Sequence, residues 1–442
     1  MGDGGKEMKV CVQGLWHLGS VTAGCLASVG HEVVGLDFND DIIRGLRAGV
    51  PPIFEPGLEE MIGADLDSGR LQFAASLDEL PCDIELLWVA YDTPVNDNDV
   101  ADVDFVVAQV EKVLPFLSNN STVLVSSQMP VGSVRRMETI ADKLCPQKGL
   151  SFACSPENLR LGKALDVFLK PDRVVVGLRV DRDRKRIGQL LAPITDRVEW
   201  MSVESAEMTK HAINAFLATS VVFANEIASI CEMVGADAKE VERGMKSEQR
   251  IGPKAYLSPG GAFAGGTLAR DIEFLKVVSQ DHQLTIPLLE SVKASNDLHK
   301  SWVCRKLKSI LPSMDGVVVV VWGLTYKPGT DTLRRSLAVE LCNWLIEQGA
   351  KVRVHDPVVK ELPQKWNGLV QRFDEALGAL DGGQVLLVGT EWPEYKEISK
   401  DSVAGIAPGL VVLDPNRFLS PLGTAAALRY VAVGTPSIER LV

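Results

Sequence analysis

The feature that most constrains the fold is a strand, a glycine turn, a helix and a second strand within the first forty residues. Residues 8–13 predict a buried strand, Gly14 opens a turn, and an apolar helix follows to about Val29. Gly30 ends that helix, and residues 31–37 predict the next strand. This order is that of the βαβ unit of a doubly wound parallel sheet, so the chain is expected to be an α/β protein.

The turn after the first strand carries part of a dinucleotide-binding motif. Gly14 and Gly19 match the outer glycines of Gly-x-Gly-x-x-Gly, but Trp16 stands where the middle glycine normally lets the backbone approach a pyrophosphate. Asp37 follows Gly14 by 23 residues and ends the second strand. A carboxylate there accepts hydrogen bonds from a ribose 2′-hydroxyl and repels a 2′-phosphate, which favours NAD over NADP. The same residues also fit a Rossmann-like domain that no longer binds nucleotide.

A second α/β unit begins at Gly316. Residues 317–322 predict a fully buried strand, residues 337–349 a helix, and residues 351–356 the next strand. Between the two units, residues 205–234 predict one long helix. The expected fold class is therefore α/β, with two Rossmann-like doubly wound domains joined by a long central helix. The expected domains are 1–200, 201–310 and 311–442.

The long helix has small and apolar residues on most of its faces. A helix of this kind is usually buried or shared with a partner. We therefore expect it to link the domains and to form a homodimer contact.

Six short motifs in order resemble the UDP-glucose/GDP-mannose dehydrogenase family over nearly the whole chain. They are Phe54-Glu55-Pro56-Gly57-Leu58, Thr93-Pro94, Ser155-Pro156-Glu157-Asn158-Leu159-Arg160, Glu207-Met208-x-Lys210-x-x-x-Asn214, Arg250-Ile251-Gly252-Pro253 and Lys327-Pro328-x-Thr330-Asp331-x-x-Arg334. Each motif alone is weakly specific, but six in the right order make accidental similarity improbable. The resemblance implies an NAD-dependent enzyme that oxidises the C6 alcohol of a nucleotide sugar.

The resemblance also implies roles for individual residues. The catalytic set is Lys210, Asn214, Asp271, Thr267 and Glu157; the cofactor contacts are Gly14, Leu18, Gly19, Asp37, Thr93 and Arg334; the substrate contacts are Lys210, Asn214, Arg250, Tyr256, Gly265 and Lys327. Arg250 is expected to reach in from a neighbouring subunit.

The chemistry of three of these residues fits that reaction. Lys210 and Asn214 are four residues apart on a helix, so they share a face and can converge on one oxygen. A cation and an amide donor there stabilise a developing alkoxide. Asp271 is expected to hold or deprotonate a water near the reacting carbon.

The sequence departs from the family at the position of its catalytic cysteine, which is Thr267 here. No cysteine lies between Cys231 and Cys304, and an alcohol is a far weaker nucleophile than a thiol unless a base activates it. Two further family positions, a threonine and a glutamate expected to order water, are Gln128 and Leu161. These departures together indicate one change of function.

Cys154 is the alternative sulfur nucleophile, since it lies beside the Ser155-Pro156-Glu157 turn. A buried strand cysteine is the simpler interpretation of that position.

Composition limits the remaining classes. The formal net charge of −12 argues against binding nucleic acid or an anionic membrane, which both require a basic surface. The N-terminus lacks the apolar run of a signal peptide, and the strongly apolar run 317–322 is too short to span a bilayer. The eight cysteines show no metal-type pairing, so we expect reduced thiols, no metal site and a cytoplasmic location.

Three activities remain open at this point. The protein could oxidise a nucleotide-sugar alcohol and stop at the aldehyde, or complete a four-electron oxidation with water or Thr267 replacing the thiol. It could also be a nucleotide-sugar-binding protein that has lost catalysis. Trp16 favours the last, whereas the retention of Lys210, Asn214 and Asp271 opposes it. The sequence identifies neither the sugar nor its base.

Overall fold

A computed structural model describes residues 7–94, 101–264 and 266–436 of the chain. It divides into two compact units, Met1–Ile213 and Asn214–Val442. The boundary falls within one long helix.

The strands of the first unit are β1 (Lys9–Gln13), β2 (Glu32–Leu36), β3 (Leu71–Ala74), β4 (Leu86–Val89), β5 (Thr122–Val125), β6 (Ser151–Cys154), β7 (Val174–Leu178) and β8 (Val198–Ser202). Those of the second unit are β9 (Val318–Trp322), β10 (Lys351–His355), β11 (Val370–Arg372), β12 (Val385–Val388), β13 (Val411–Leu413) and β14 (Arg429–Val431).

Among the described residues, the α-helices before the long central helix are α1 (His17–Ser28), α2 (Asp40–Arg47), α3 (Leu58–Asp67), α4 (Val103–Val113), α5 (Ser133–Leu144), α6 (Ala164–Leu169) and α7 (Asp181–Leu191). The central helix is α8 (Val203–Val234). The helices after it are α9 (Ala238–Ser247), α10 (Thr267–Asp281), α11 (Pro287–Lys300), α12 (Trp302–Ile310), α13 (Leu337–Glu347) and α14 (Lys400–Ile406).

The first sheet has the strand order β3-β2-β1-β4-β5-β6-β7-β8. Its neighbouring strands are parallel except for β6 and β7, which are antiparallel. The order reverses between β1 and β4, and ligands of such sheets bind beyond the carboxyl ends of the strands at that point. The glycine turn after Gln13 lies at this position.

The second sheet repeats the same design with six parallel strands in the order β11-β10-β9-β12-β13-β14. Its central strand β9 is the run Val-Val-Val-Val-Trp, of which four residues are buried. Parallel strands covered by helices on both faces need such continuous apolar runs. The order reverses between β9 and β12, which predicts the ligand edge of this unit.

Separate apolar clusters cover the sheets. In the first unit one cluster includes Leu15, Leu26 and Val10, and another includes Cys11, Val89 and Val123. The two clusters alternate along β1, since Val10 and Cys11 belong to different ones, as expected for successive side chains of a strand. The second unit has two corresponding clusters around its sheet and a smaller one among the central helices.

The predicted order of elements is confirmed. The helix expected at 205–234 is α8, and the expected α/β units on either side of it are present. Four strands were not predicted: β3, β8, β11 and β14. The division into three domains stays a prediction, because the two compact units do not test it.

Helix α8 is long and apolar enough to cross a membrane by length and composition alone, with a mean hydropathy of 1.4 in its best 18-residue window. Its apolar residues are interrupted by polar ones, so no uninterrupted apolar run marks it in the sequence. A core helix meets the same criteria, so the observation is weak evidence for a membrane. Both ends of α8 bind protein groups: Glu207 accepts hydrogen bonds from Gly132 and Val134, and Glu232 accepts one from the Trp302 indole.

The carboxylate of Asp414 holds the chain together after the end of β13 by hydrogen bonds. It is fully buried and accepts hydrogen bonds from the Phe418 and Leu419 amides and from the Tyr430 hydroxyl. Asp414→Ala leaves these three donors without a partner, so we expect the free energy of unfolding to fall by about 3 kcal/mol. The exposed Asp401→Ala should cost less than about 1 kcal/mol. Urea unfolding measures both free energies. Equal losses in the two variants would contradict a stabilising role of the Asp414 hydrogen bonds.

Candidate functional site

The glycine turn of the first unit explains which positions of the motif must be glycine. Gly14 has φ +89°, and a Cβ added there would lie 2.7 Å from the Tyr91 ring. A Cβ on Gly19 would lie 1.7 Å from the Gly14 carbonyl oxygen. Trp16 has φ −72°, and its side chain is 45% exposed. The middle position therefore accepts a side chain because the indole points into solvent.

Asp37 holds this turn in place. Its Oδ2 accepts a hydrogen bond from the Leu15 amide at 2.7 Å, and its Oδ1 accepts one from the Asn39 amide at 2.9 Å. The turn, the N-terminus of α1 and the carboxylate are thus assembled at the carboxyl edge of the sheet. This arrangement fits NAD, since a helix N-terminus binds a pyrophosphate and a carboxylate binds the ribose hydroxyls.

Two polar contacts of this region have no signature in the sequence. The Leu18 amide at the start of α1 donates to Asp92 Oδ2 at 3.1 Å, so a carboxylate already uses one helix N-terminal donor. Thr93 donates its hydroxyl hydrogen to the Gln128 carbonyl oxygen at 2.8 Å. The roles of Leu18 and Thr93 as cofactor contacts stay predictions.

A buried carboxylate fixes His17 behind the turn. Glu55 Oε2 lies 2.9 Å from His17 Nε2, and the same side chain accepts hydrogen bonds from the Gly162 and Ala164 amides, both at 2.9 Å. Burial alone would raise the pKa of Glu55, but these hydrogen bonds outweigh it and hold the pKa below its usual value. Glu55 belongs to the Phe54-Glu55-Pro56-Gly57-Leu58 motif, which marks it in the sequence. Its hydrogen bond to His17 was not predictable from the spacing of the two residues.

Lys210 and Glu157 meet in the first unit. Lys210 Nζ donates to the Glu157 carbonyl oxygen at 2.7 Å and lies 3.6 Å from Glu157 Oε1. Glu157 Oε2 accepts a hydrogen bond from the Leu159 amide at 2.7 Å. Both residues line a cavity of about 20 Å³, to which Gln128 and Cys154 also contribute. A cavity of this size holds about one water molecule.

Cys154 is unsuited to act as the nucleophile. Its side chain is buried, and burial together with the charge of Glu207 raises the pKa of the thiol well above its usual value. A protonated thiol adds poorly to a carbonyl. The simpler interpretation of Cys154, as a buried strand residue, agrees with this placement.

Asn214 and Asp271 meet in the second unit. The Asn214 side-chain amide donates to Asp271 Oδ2, and both residues are buried. Asp271 lies one turn after Thr267, the first residue of α10, which is exposed. Lys210 and Asn214, expected to converge on one oxygen, thus have different protein partners in this structure.

The other predicted substrate residues are more exposed to solvent. The exposed Arg250 side chain pairs with Glu248, with 3.0 Å between Nε and Oε1, and Tyr256 is also exposed. Arg334 is exposed, and Lys327 lines a cavity of the second unit. Gly265 lies outside the described residues. Among the residues that the structure describes, no group of three His, Cys, Asp or Glu side chains could hold a metal.

The cavity that contains Lys327 has a volume of about 410 Å³ and lies at the carboxyl ends of β9 and β12. Its lining includes two cations, Lys300 and Lys327, and one carboxyl, Glu391. The loop residues Ala262 and Ala264 border it as well. The volume suits a nucleotide-sized ligand.

These two units define a dinucleotide-binding α/β protein with a second Rossmann-like ligand domain. Comparison with family descriptions identifies residues 8–195 as the NAD binding domain of the UDP-glucose/GDP-mannose dehydrogenase family, residues 204–298 as its central domain and residues 320–421 as its UDP binding domain. The chain belongs to the UDP-glucose/GDP-mannose dehydrogenase family.

Individual relatives agree with that assignment. The chain is 32% identical to a UDP-glucose 6-dehydrogenase of Pseudomonas aeruginosa, over 97% of this chain and 98% of the relative. It is 30% identical to UDP-glucose 6-dehydrogenase TuaD of Bacillus subtilis, over 98% and 94%. The solved UDP-glucose dehydrogenase of Pyrobaculum islandicum superposes with a TM-score of 0.86 at 30% identity, covering 98% of this chain and 100% of that one.

The predicted family, the α/β fold, the NAD cofactor and the class of NAD-dependent nucleotide-sugar dehydrogenases are therefore confirmed. The roles of individual residues, the homodimer and the replacement of the catalytic cysteine by Thr267 stay predictions.

The structure predicts that two substitutions in the glycine turn affect NAD binding to very different extents. Gly19→Ala forces a methyl group onto the Gly14 carbonyl, so we expect the dissociation constant for NAD to rise at least about tenfold. Trp16→Gly removes only an exposed indole and should leave that constant within about threefold. Calorimetric titration measures both, with thermal melting as the check that each variant folds. Loss of NAD binding in Trp16→Gly would contradict this description of the turn.

Proposed function

We propose that this protein oxidises the C6 alcohol of a UDP-sugar with NAD and releases the aldehyde, without forming a thioester. The relatives are UDP-glucose 6-dehydrogenases. We keep the oxidation of the C6 alcohol for this protein and propose that the second oxidation, from aldehyde to carboxylate, does not follow. The observation that carries it is Thr267 at the start of α10, four residues before Asp271. The resemblance places the family's nucleophilic cysteine at this position.

Residues of the chain supply the first step. Bound NAD would supply the hydride acceptor for C6. Lys210 and Asn214 lie one turn apart on α8, and we assign them to the C6 oxygen, where a cation and an amide donor stabilise the alkoxide. Asp271, fixed by its bond to Asn214, takes up the alcohol proton through a water molecule. The balanced products are aldehyde, NADH and one proton.

A second oxidation requires a tetrahedral carbon that carries an oxygen and a leaving hydride. A thiolate forms it by adding to the aldehyde, but no cysteine lies between Cys231 and Cys304, and seven of the eight thiols are at least partly buried. Thr267 has no histidine within ten residues of it to act as base. Gln128 and Leu161 replace the groups that the family is expected to use to order water. Only slow oxidation of an aldehyde hydrate remains open to this chain.

The nucleotide sugar is assigned to the second unit. The cavity of about 410 Å³ offers Lys300 and Lys327 to phosphate oxygens. Part of its lining, including Lys327 and Glu391, lies in residues 320–421, the segment that matches the family's UDP binding domain. Arg250 is assigned to the substrate of the neighbouring subunit, since its side chain is exposed in the single chain.

The proposal includes a homodimer. Phe216, Phe223 and Ile230 recur every seven residues on α8, and each is at least 45% exposed. An apolar stripe of that length on one helix is typical of a protein interface. All eight cysteines are free thiols, which fits a reducing compartment, and we extend the proposal to the cytoplasm.

The stoichiometry of NADH tests the chemistry. Wild-type protein with limiting UDP-glucose and excess NAD should form one NADH per sugar, whereas a complete oxidation gives two and a binding protein gives none. Thr267→Cys should still not reach two in efficient turnover, because Gln128 and Leu161 do not order the hydrolytic water. Mass spectrometry of that variant should instead detect a trapped covalent adduct.

Thr267→Ser is the matched control, since it keeps a hydroxyl and should behave as the wild type does. Two NADH per sugar from the wild type would contradict the proposal. Rapid acid formation by Thr267→Cys would show that residue 267 alone determines the product, and that Gln128 and Leu161 have no part in it.

The dimer is tested by placing a charge in the stripe. Ile230→Glu should convert a dimer into a monomer and raise the Michaelis constant for the sugar, because Arg250 no longer reaches a neighbouring subunit. Light scattering after size exclusion measures the mass. Leu369→Glu, which changes another exposed apolar residue of the second unit, should stay dimeric. A monomeric wild type at full activity would contradict this part.

A further inference from the structure

The second sheet contains a carboxylate placed as Asp37 is in the first. Asp356 directly follows β10, the strand that corresponds to β2. Its Oδ2 accepts hydrogen bonds from the Leu324 amide at 2.7 Å and the Thr325 amide at 3.2 Å. In a dinucleotide-binding sheet, this is the position of the carboxylate that binds ribose.

Asp356 is not free to take that role. Its Oδ1 accepts hydrogen bonds from the Val358 and Val359 amides, and the Trp392 indole donates to Oδ2 at 3.2 Å. Five donors thus surround a group with about four acceptor sites. Asp356 is also only 2% exposed. A ligand hydroxyl would have to displace a bond that holds the turn after β9.

Glu391 is the carboxyl at the same edge that lacks a partner. It lies three residues after the end of β12 and lines the cavity of about 410 Å³. Its Oε1 is buried and has no hydrogen-bond partner among the residues that the structure describes. Burial raises the pKa of Glu391, and a hydrogen bond from Asn416 partly opposes the shift. A buried acceptor without a donor is unfavourable, and a ligand hydroxyl would relieve it.

The charges of the cavity restrict what can lie beside Glu391. Phosphate oxygens only accept hydrogen bonds and carry negative charge, so they belong beside Lys300 and Lys327 rather than beside a carboxylate. The donors of a nucleoside are its ribose hydroxyls and the N–H groups of its base. A ribose offers two adjacent O–H groups, which match the two oxygens of one carboxyl.

We propose that Glu391 binds the ribose hydroxyls of the nucleotide and so determines the specificity of the second unit for a ribonucleotide. The inference rests on the proposed function, because it requires a nucleotide sugar in this cavity. Glu391 would then have in the second sheet the role that is predicted for Asp37 in the first, and for which the hydrogen bonds of Asp356 leave it no free acceptor.

Calorimetric titration with UDP and 2′-deoxy-UDP tests the inference. Wild-type protein should bind UDP about tenfold more tightly than 2′-deoxy-UDP, since the deoxynucleotide leaves one acceptor unsatisfied. In Glu391→Gln the affinity for UDP should fall about tenfold and the preference should shrink below about threefold. Glu394→Gln, which changes an exposed carboxylate three residues away, should keep both wild-type values. Thermal melting without ligand checks that Glu391→Gln folds.

Two results would overturn the inference. Glu391→Gln could keep the wild-type preference for UDP, or the wild type could discriminate against 3-methyluridine diphosphate but not against 2′-deoxy-UDP, which would place the base N–H beside Glu391. Either leaves the proposed oxidation intact if NADH still forms from UDP-glucose. If the wild type binds no UDP and forms no NADH, the proposed function fails and the inference fails with it.

Discussion

The hydrogen bond that a backbone amide after a glycine turn donates to a carboxylate is the interaction on which both halves of this protein depend. Asp37 binds the Leu15 amide at 2.7 Å, and Asp356 binds the Leu324 amide at the same distance. In each sheet the bond ties the end of the second strand to the turn after the first. Because the order of strands reverses beside that turn, the bond shapes the edge where ligands bind.

The two sheets use this bond differently. Asp37 has two backbone donors and remains available at a turn that fits NAD, whereas Asp356 is surrounded by five donors and serves only the structure. A repeated fold therefore does not imply a repeated binding mode. The second unit must obtain its ligand contacts from other residues, and its cavity offers Lys300, Lys327 and Glu391 for this purpose.

The parts of the fold that were predictable from the sequence are those with strong local patterns. The apolar run of β9 and the long helix α8 were assigned within two residues at each end. Strands β11 and β14 were missed, because each is an edge strand of only three residues without an apolar run, Val-Gln-Arg and Arg-Tyr-Val. Pairing with a neighbouring strand, rather than local sequence, determines such elements.

The candidate site, too, was predictable from the sequence only where a local pattern marks its residues. The glycines and Asp37 were found because their spacing is fixed by one βαβ unit. The contact between His17 and Glu55 joins residues 38 positions apart, and the missing partner of Glu391 is a property of the folded cavity, so neither has a signature in the sequence. Trp16 had indicated a damaged cofactor site, but its exposure removes that objection.

We propose that a nucleotide-sugar dehydrogenase with Thr267 at the start of α10 stops after one oxidation. The most direct measurement is ¹³C NMR of UDP-glucose labelled at C6, recorded during turnover with excess NAD. The account predicts that the C6 signal moves to the positions of the aldehyde and its hydrate and remains there. A signal that passes to the carboxylate position at the rate of the first oxidation would contradict it.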